Sequence, residues 1–317
     1  LTTASSPTAP GLRIKARRWL GGFKSSETWA AYAFLAPWII GFLVFTSGPM
    51  VASLVLSFTE YDVINPPRYI GLDNYQLLLD DPKIVTSMRN TFLFTLMLVP
   101  LTMGVALGLA LILVRIGRAA GFFRTAFYMP NMTPPVAVGI LFLFLFNGAN
   151  GLVNRGLEAI GIPGPFWTTD PHWVKPGLAI MGAWSVGGTM VIYLAALKGV
   201  PPQLYEAASV DGASAWRRFK DVTLPMISPA LYFTGLILTI NGLQSFTEAY
   251  TAFYGTQEGQ GSDAALFYVI YLFQQGFQFL YMGYASAMAW ILFLVIMVVT
   301  LVQVQVTKRY VFYYGGK

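Results

Sequence analysis

Cysteine is absent from the 317 residues, and His172 is the single histidine. Without thiols the chain has no disulfide, thiolate metal centre, iron–sulfur cluster or cysteine nucleophile. One imidazole, in a stretch expected to be a surface loop, makes no histidine-based metal site. Charge is scarce as well. Only 11% of residues are Asp, Glu, Lys or Arg, against about 25% in a soluble domain, so most of the chain is not built to face water. The formal charge of +6 is too sparse and dispersed for a phosphate-tracking face, which excludes a nucleic-acid partner. Apolar surface takes the place of charge: 56% of residues are hydrophobic and 15% aromatic, with a mean hydropathy of +0.59.

A spanning helix needs about 20 apolar residues, and six runs qualify: 31–58, 88–114, 122–146, 177–197, 228–253 and 282–306. The Ser/Thr/Ala/Pro-rich start (1–10) reads as disordered. The cationic stretch after it precedes a run too long for a signal peptide, so that run is expected to be retained. Pro37 and Pro49 mark bends or ends of the first run, and Pro130, Pro134 and Pro135 a kinked or partly unwound third. Gly104 and Gly108 stand at the spacing that brings helices close. Trp167 and Trp173, in the 147–175 connection, are candidate interface anchors. Residues 255–263 read as a flexible outer loop, and 264–279, with Gln274, Gln275 and Gln278, as an outer interfacial helix rather than a seventh span.

Lys and Arg gather on the cytoplasmic side of short loops. Fifteen of them fall in the N-terminus, the 115–124 turn, the 198–225 connection and the C-terminus, whereas Arg68, Lys83, Arg89, Arg155 and Lys175 lie elsewhere. Six spans with both ends cytoplasmic fit that split, and a seventh would export one basic end. The expected organisation is an N-terminal cytoplasmic tail (1–29), a transmembrane domain (30–310) with a cytoplasmic loop at 199–227, and a C-terminal cytoplasmic tail (311–317).

Between the fourth and fifth runs lies EAASVDGASAWRRFKDVTLP, 206–225. Its charges forbid a span, yet it has helix formers up to Asp211 and a glycine, Gly212, where a short helix can stop. Glu206-Ala207-Ala208, then Gly212 after three residues, then Val222-Thr223-Leu224-Pro225 after nine more, resembles the E-A-A…G…I-x-L-P signature of permease subunits of bacterial ABC importers. Val222 stands where that signature usually has Ile. The flanking Lys198-Gly199-Val200-Pro201 and Asp211-Gly212-Ala213 are similar to the carbohydrate-uptake branch, with its maltose and glycerol-phosphate permeases. The likeness runs over roughly 30–310.

The resemblance implies an all-α integral membrane protein with six transmembrane helices and the type I ABC importer permease fold, multi-pass in the bacterial cytoplasmic (inner) membrane. It implies a coupling segment, Glu206, Ala207, Ala208, Asp211, Gly212, Leu224 and Pro225, docked on an ATPase, with Glu206 paired to one of its basic residues. Expected partners are a second homologous permease, two ABC ATPase subunits and an extracytoplasmic solute-binding protein received by the outer loops 60–83 and 255–263. ATP and Mg belong to the ATPase subunits, and this chain carries no cofactor. No G-x-x-x-x-G-K-[ST] occurs, and Gly22-Phe23-Lys24-Ser25 lacks the glycine before lysine.

A route for a polar solute needs polar side chains inside the bundle. Asn241, Gln244, Ser245 and Glu248 recur at i, i+3, i+4 and i+7, one face of a helix, and an acid facing lipid costs roughly 2.5–3.5 kcal/mol. Trp184, Ser185, Gly188 and Thr189 form a matching face on the fourth run: a flat aromatic surface for a sugar ring beside hydroxyl donors. The resemblance likewise puts a sugar between these two runs. The same residues also serve plain helix–helix packing. An ion-coupled secondary carrier is the alternative function. It calls for intramembrane charge clusters, where only Glu248 and the flanking Arg89 come close, and it gives the 206–225 segment no role. A membrane-embedded enzyme would need nucleophile or acid–base clusters that the spans lack.

Overall fold

In the computed structural model, residues 26–254, 263–308 and 311–312 are described. The expectations for both tails and for most of the 255–263 loop lie outside the described residues. Backbone proximity divides the chain into two compact units, Leu1–Ala52 and Ser53–Lys317. The first contains α1 (Ser26–Phe42), with Pro37 inside it, and a widened π-turn over Leu43–Ser47. The widening has a local cause. Pro49 has no N–H for a regular helical bond, and the Gly48 amide reaches back to the Leu43 carbonyl, five residues earlier. Helix α2 (Gly48–Leu56) continues the run, so the first span is Trp29–Leu56, continuous through both prolines.

The second unit is helical apart from one short ribbon. Strands β1 (Thr59–Glu60) and β2 (Arg68–Tyr69) pair antiparallel, Thr59 opposite Tyr69. After α3 (Asp73–Asp80) comes the longest helix, α4 (Pro82–Arg115). Its start follows from Asp81-Pro82. The Asp81 carboxylate accepts from the Lys83 amide at 2.8 Å, and Pro82 sits where no amide bond is needed. The helix therefore begins six residues before the apolar run does. Helices α8 (Pro171–Trp184), α9 (Gly187–Lys198) and α12 (Leu224–Leu243) pack along it. Its buried stripe near the C-terminal end is Ala106, Ala110 and Leu113. Gly104 and Gly108 lie off that stripe: a Cβ built at either meets nothing within 4 Å. The expected close approach does not occur there.

The third span breaks at its prolines. Helix α5 (Ala120–Tyr128) passes through a 3-10 turn (Met129–Met132) into α6 (Pro135–Leu145), with a 97° bend between the halves. The fourth also breaks, by 55° between α8 and α9. Four long helical runs and these two bent pairs give the six spans. Helix α7 (Leu152–Ala159) lies in the connection between spans three and four. There Trp167 is no interface anchor. It is 6% exposed, and its indole N–H donates to Asn154 Oδ1 at 2.7 Å. Trp173 packs edge-on against it.

Beyond α12 come α10 (Pro202–Val210) and α11 (Ala215–Arg218) on its N-terminal side, and α13 (Thr247–Phe253) on its C-terminal side. Next is a 3-10 turn at Asp263–Ala265, α14 (Tyr268–Phe273) with a π-turn over Gln274–Gln278, and α15 (Met282–Thr307). Segment 264–279 is not a span, but neither is it an interfacial surface helix. Phe267, Tyr268 and Ile270 are fully buried in the core that also holds Phe94, Phe142, Leu178 and Met288. Asn90 and Lys175 hold its start: the Asn90 amide donates to the Leu266 carbonyl at 3.1 Å, and the Lys175 ammonium to Ala264 O at 3.2 Å. A second core, around Met190, Tyr193, Leu197 and Ile227, packs on the far half of α4.

Candidate functional site

Between the two cores lies a cavity of about 600 Å³. Phe94, Leu98 and Thr102 of α4 form one wall. The rest comes from places where helices are interrupted. Asn131 is on the 3-10 turn of the third span, Ser185 is the residue after α8 ends, and Gly188 and Thr189 open α9. Asn241 is in the last turn of α12; Gln244, Ser245 and Phe246 separate α12 from α13. In a membrane, non-helical backbone is tolerated only where protein or a water-filled cavity satisfies its polar groups. Three interruptions facing one space are therefore a physical signature of a solvated chamber.

The fifth span was expected to be one continuous helix with a single polar face. Instead it breaks at 244–246, where Phe246 takes φ −140° and ψ −65°. Asn241, Gln244, Ser245 and Glu248 nevertheless all line the cavity, together with Thr247. On the fourth span Ser185, Gly188 and Thr189 also line it, and Trp184 does not. The 55° break follows Trp184 directly, taking the 46%-exposed ring out of phase with the three residues after it. Asn131 and Thr102 were not expected. Asn131 stands between Pro130 and Pro134, which is a readable sign of an amide held on a turn.

Hydrogen-bonding capacity here is largely unspent. Asn131, Ser185, Thr189, Asn241, Gln244 and Ser245 make no side-chain hydrogen bond to any described residue, and Glu248 has no ion pair. The Thr102 hydroxyl is buried without a partner. Thr234, by contrast, is engaged, its Oγ1 2.6 Å from the Tyr193 hydroxyl. A buried polar group left unpaired costs about 1–3 kcal/mol, so a lining of this kind suits water or a hydroxyl-rich ligand.

The second site is the elbow formed by α10, α11 and the π-turn Phe219–Thr223. Gly212 ends α10 at φ +71°, a conformation that costs a residue with a Cβ about 1–2 kcal/mol. The Gly212 amide donates to Ser209 O at 3.1 Å and the Ala213 amide to Ala208 O at 2.9 Å, which is the Schellman closure. Glu206, Ala207, Asp211 and Gly212 are exposed and Ala208 half-buried. Glu206 has no partner among the described residues. Val210, 88% exposed, and Trp216, 70% exposed, add large apolar surface that sequence reasoning missed. Leu224 and Pro225 are half-buried at the head of α12. Pro225 lacks the amide that would continue a regular turn, and the Leu224 amide bonds back to Phe219 O. They shape the return into the bundle rather than the exposed face. Two bonds brace the elbow: Tyr205 hydroxyl to Thr223 Oγ1 at 3.0 Å and Arg218 to Ser209 Oγ at 3.1 Å.

A third feature is a cavity of about 940 Å³ lined by Glu60, Asp62, Asp73, Asp80 and Asp81, with Tyr271 and Tyr284. Both tyrosine hydroxyls donate to Asp81. Burial first, then the Asp81 carboxylate, pushes the Tyr271 phenol above its ordinary range, so it remains a donor. Among the described residues no cluster of His, Asp or Glu could hold a metal.

Comparison with known proteins agrees with this arrangement. Residues 101–311 match the family described as binding-protein-dependent transport system inner membrane component. The probable ABC transporter permease protein YesP of Bacillus subtilis is 41% identical over 287 residues, 90% of this chain and 92% of that protein. The lactose transport system permease protein LacF of Rhizobium radiobacter is 36% identical over 86% of this chain and 92% of its own length. Among solved structures, a chain of a bacterial ABC transporter involved in the import of the acidic polysaccharide alginate superposes with a TM-score of 0.77. It is 26% identical and aligns over 89% of this chain and 96% of that one. A six-span helical membrane protein with a broken-helix chamber and a capped E-A-A elbow, this chain belongs to the family of binding-protein-dependent transport system inner membrane components, as an ABC transporter permease.

Proposed function

We propose that the chain is the transmembrane subunit of an importer that carries a sugar or oligosaccharide inward across the bacterial cytoplasmic membrane by alternating access, driven by ATP hydrolysis on separate ATPase subunits. The observation that carries the reading is the 600 Å³ cavity with its unspent amides and hydroxyls. A saccharide presents hydroxyls that both donate and accept, and each can satisfy one of those groups. Phe94 and Phe246 add apolar surface for the carbon faces of a ring.

The elbow supplies the coupling. The exposed strip of Glu206, Ala207, Val210 and Gly212 offers close approach to an ATPase, and Glu206 is available to one of its basic residues. Movement there passes through Tyr205 and Thr223 into α12, whose far end carries Asn241 and Gln244. A rigid elbow joined to a breakable span is a two-state element that nucleotide can bias. ATP and Mg would be held by two such ATPase subunits. A second homologous permease would complete the pore. The distribution of Lys and Arg supports both termini and the elbow on the cytoplasmic side, and the acidic 60–83 region on the outer side. The alginate transporter has also been solved in complex with a pentasaccharide-bound periplasmic protein. That likeness supports a solute-binding protein docking on the outer loops here. The relatives include a lactose permease and an importer of an acidic polysaccharide, so kinship alone does not choose the charge of the cargo.

Sealed vesicles containing the whole complex test the reading. Uptake should follow enclosed or external ATP on the elbow side and ignore an imposed ion gradient; uptake driven by the gradient without ATP would make the chain a secondary carrier. Ala213→Cys, in this otherwise cysteine-free chain, should react with impermeant thiol reagents only from the cytoplasmic side. Labelling only from outside intact cells would reverse the topology.

A further inference from the structure

The charge around the cavity is one-sided. Glu248 is the only charged side chain that lines it, half-buried and without an ion pair, and no Lys, Arg or His is among the lining residues described. Arg89 and Lys175, on helices that line the cavity, do not line it themselves. Lys175, one turn before Leu178, donates its ammonium to Asn90 Oδ1 at 3.1 Å and to Ala264 O at 3.2 Å, and Arg89 is exposed.

Resting on the import reading above, we propose that this cavity selects uncharged saccharides and rejects those bearing uronate, phosphate or sulfonate groups, with Glu248 as the specificity-determining residue. An anionic substituent held about 6 Å from a carboxylate, at an effective dielectric near 20, loses on the order of a hundredfold in affinity relative to no charge. In a wetter site the penalty falls to about tenfold. Among the described residues no cation lines the chamber to offset it. Uncharged hydroxyls meet the opposite situation: the Glu248 carboxylate accepts two or more of them. The amides of Asn131, Asn241 and Gln244 supply the donors and acceptors for the rest. Specificity here is built as much by a repulsive group as by attractive ones.

The test uses the reconstituted importer with its ATPase subunits and its solute-binding protein, driven by ATP. Matched cargo pairs are offered: oligogalacturonides against the same oligosaccharides with carboxyls reduced to alcohols, and glycerol phosphate against glycerol glycosides. Cargo of at least one uncharged type should enter, and its acidic counterpart at least tenfold more slowly. Glu248→Gln, checked for assembly by co-purification with the ATPase, should narrow that ratio several-fold while raising KM for the uncharged cargo. An acidic cargo imported as well as or better than its neutral match would overturn the proposal and leave sugar import standing. So would a Glu248→Gln complex with an unchanged ratio, since the discrimination would then reside in the binding protein. If that variant does not assemble, the wild-type ratio is measured again with the solute-binding protein saturated by each cargo; a ratio that then disappears puts the discrimination in the binding protein and overturns the proposal. ATP-driven uptake of neither member of any pair would remove the import reading itself, and the proposal with it.

Discussion

At the elbow, every contact that sets the shape is made between residues no more than 18 apart in the chain. Gly212 closes α10 on Ser209 and Ala208, Ser214 caps α11 by accepting from the Arg217 amide, and Pro225 forces the wide turn before α12. At the cavity the shape is set by residues far apart in the chain. Asn131, Ser185, Gln244 and Thr102 come from four different spans, and three of those spans are interrupted where they face the same cavity. A local device is written as a motif and tolerates little change at any one position. A chamber assembled from distant breaks is written nowhere in particular, and its single residues are more replaceable. The two sites should therefore respond differently to substitution.

The largest effect is expected at Gly212. Gly212→Trp puts a side chain on a left-handed residue and an indole into space now open. ATP-driven uptake should fall more than tenfold, with loss of ATPase co-purification; a variant that transports and co-purifies normally would deny the elbow its role. Gly212→Ala separates strain from bulk and should lose only a few-fold. Next in size is Gln244→Ala. Losing one hydrogen bond of about 0.5–1.5 kcal/mol, it should raise KM up to roughly tenfold while the complex assembles and basal ATPase is kept. Unchanged transport kinetics would take Gln244 out of the chamber's function.

The difference also explains what could be read in advance. The six spans followed from run length and charge, the permease fold from the resemblance carried by the 206–225 segment, and the Gly212 stop from a local rule. The i, i+3, i+4, i+7 set of the fifth span reaches the cavity despite the break at 244–246, because the interruption falls within the set and leaves all four residues on the same side. The break after Trp184 had no such luck: nothing in Ser185-Val186 marks it, and it separates Trp184 from its expected companions. Gly104 and Gly108 misled for a related reason. Spacing shows which residues share a helix face, whereas neighbours decide which face is packed, and here it is Ala106 and Ala110. Asp81-Pro82 was readable as a helix start, although the apolar run itself begins only at 88. Trp167 and Phe267 are buried through partners remote in sequence, Asn154 for the one and Phe94 for the other.

Smaller effects sharpen the contrast. Tyr205→Phe removes the hydroxyl contact with Thr223 and should leave sugar affinity unchanged while raising the ATP hydrolysed per sugar imported by a few-fold. A change in KM with normal coupling would mean that the brace acts on the chamber. Trp184→Ala should change affinity by less than about twofold; a tenfold loss would return the indole to the binding surface.

The most direct measurement is protection of the chamber itself. With Ser245→Cys as the single thiol in the assembled importer, the rate of modification by a small hydrophilic thiol reagent is followed with and without a saccharide that the same complex imports. The account predicts ready modification that slows at least several-fold when that saccharide is present and the complex is cycling on ATP. A thiol that is inert throughout, or one modified at the same rate with and without imported cargo, would contradict a sugar-filled chamber at the helix breaks.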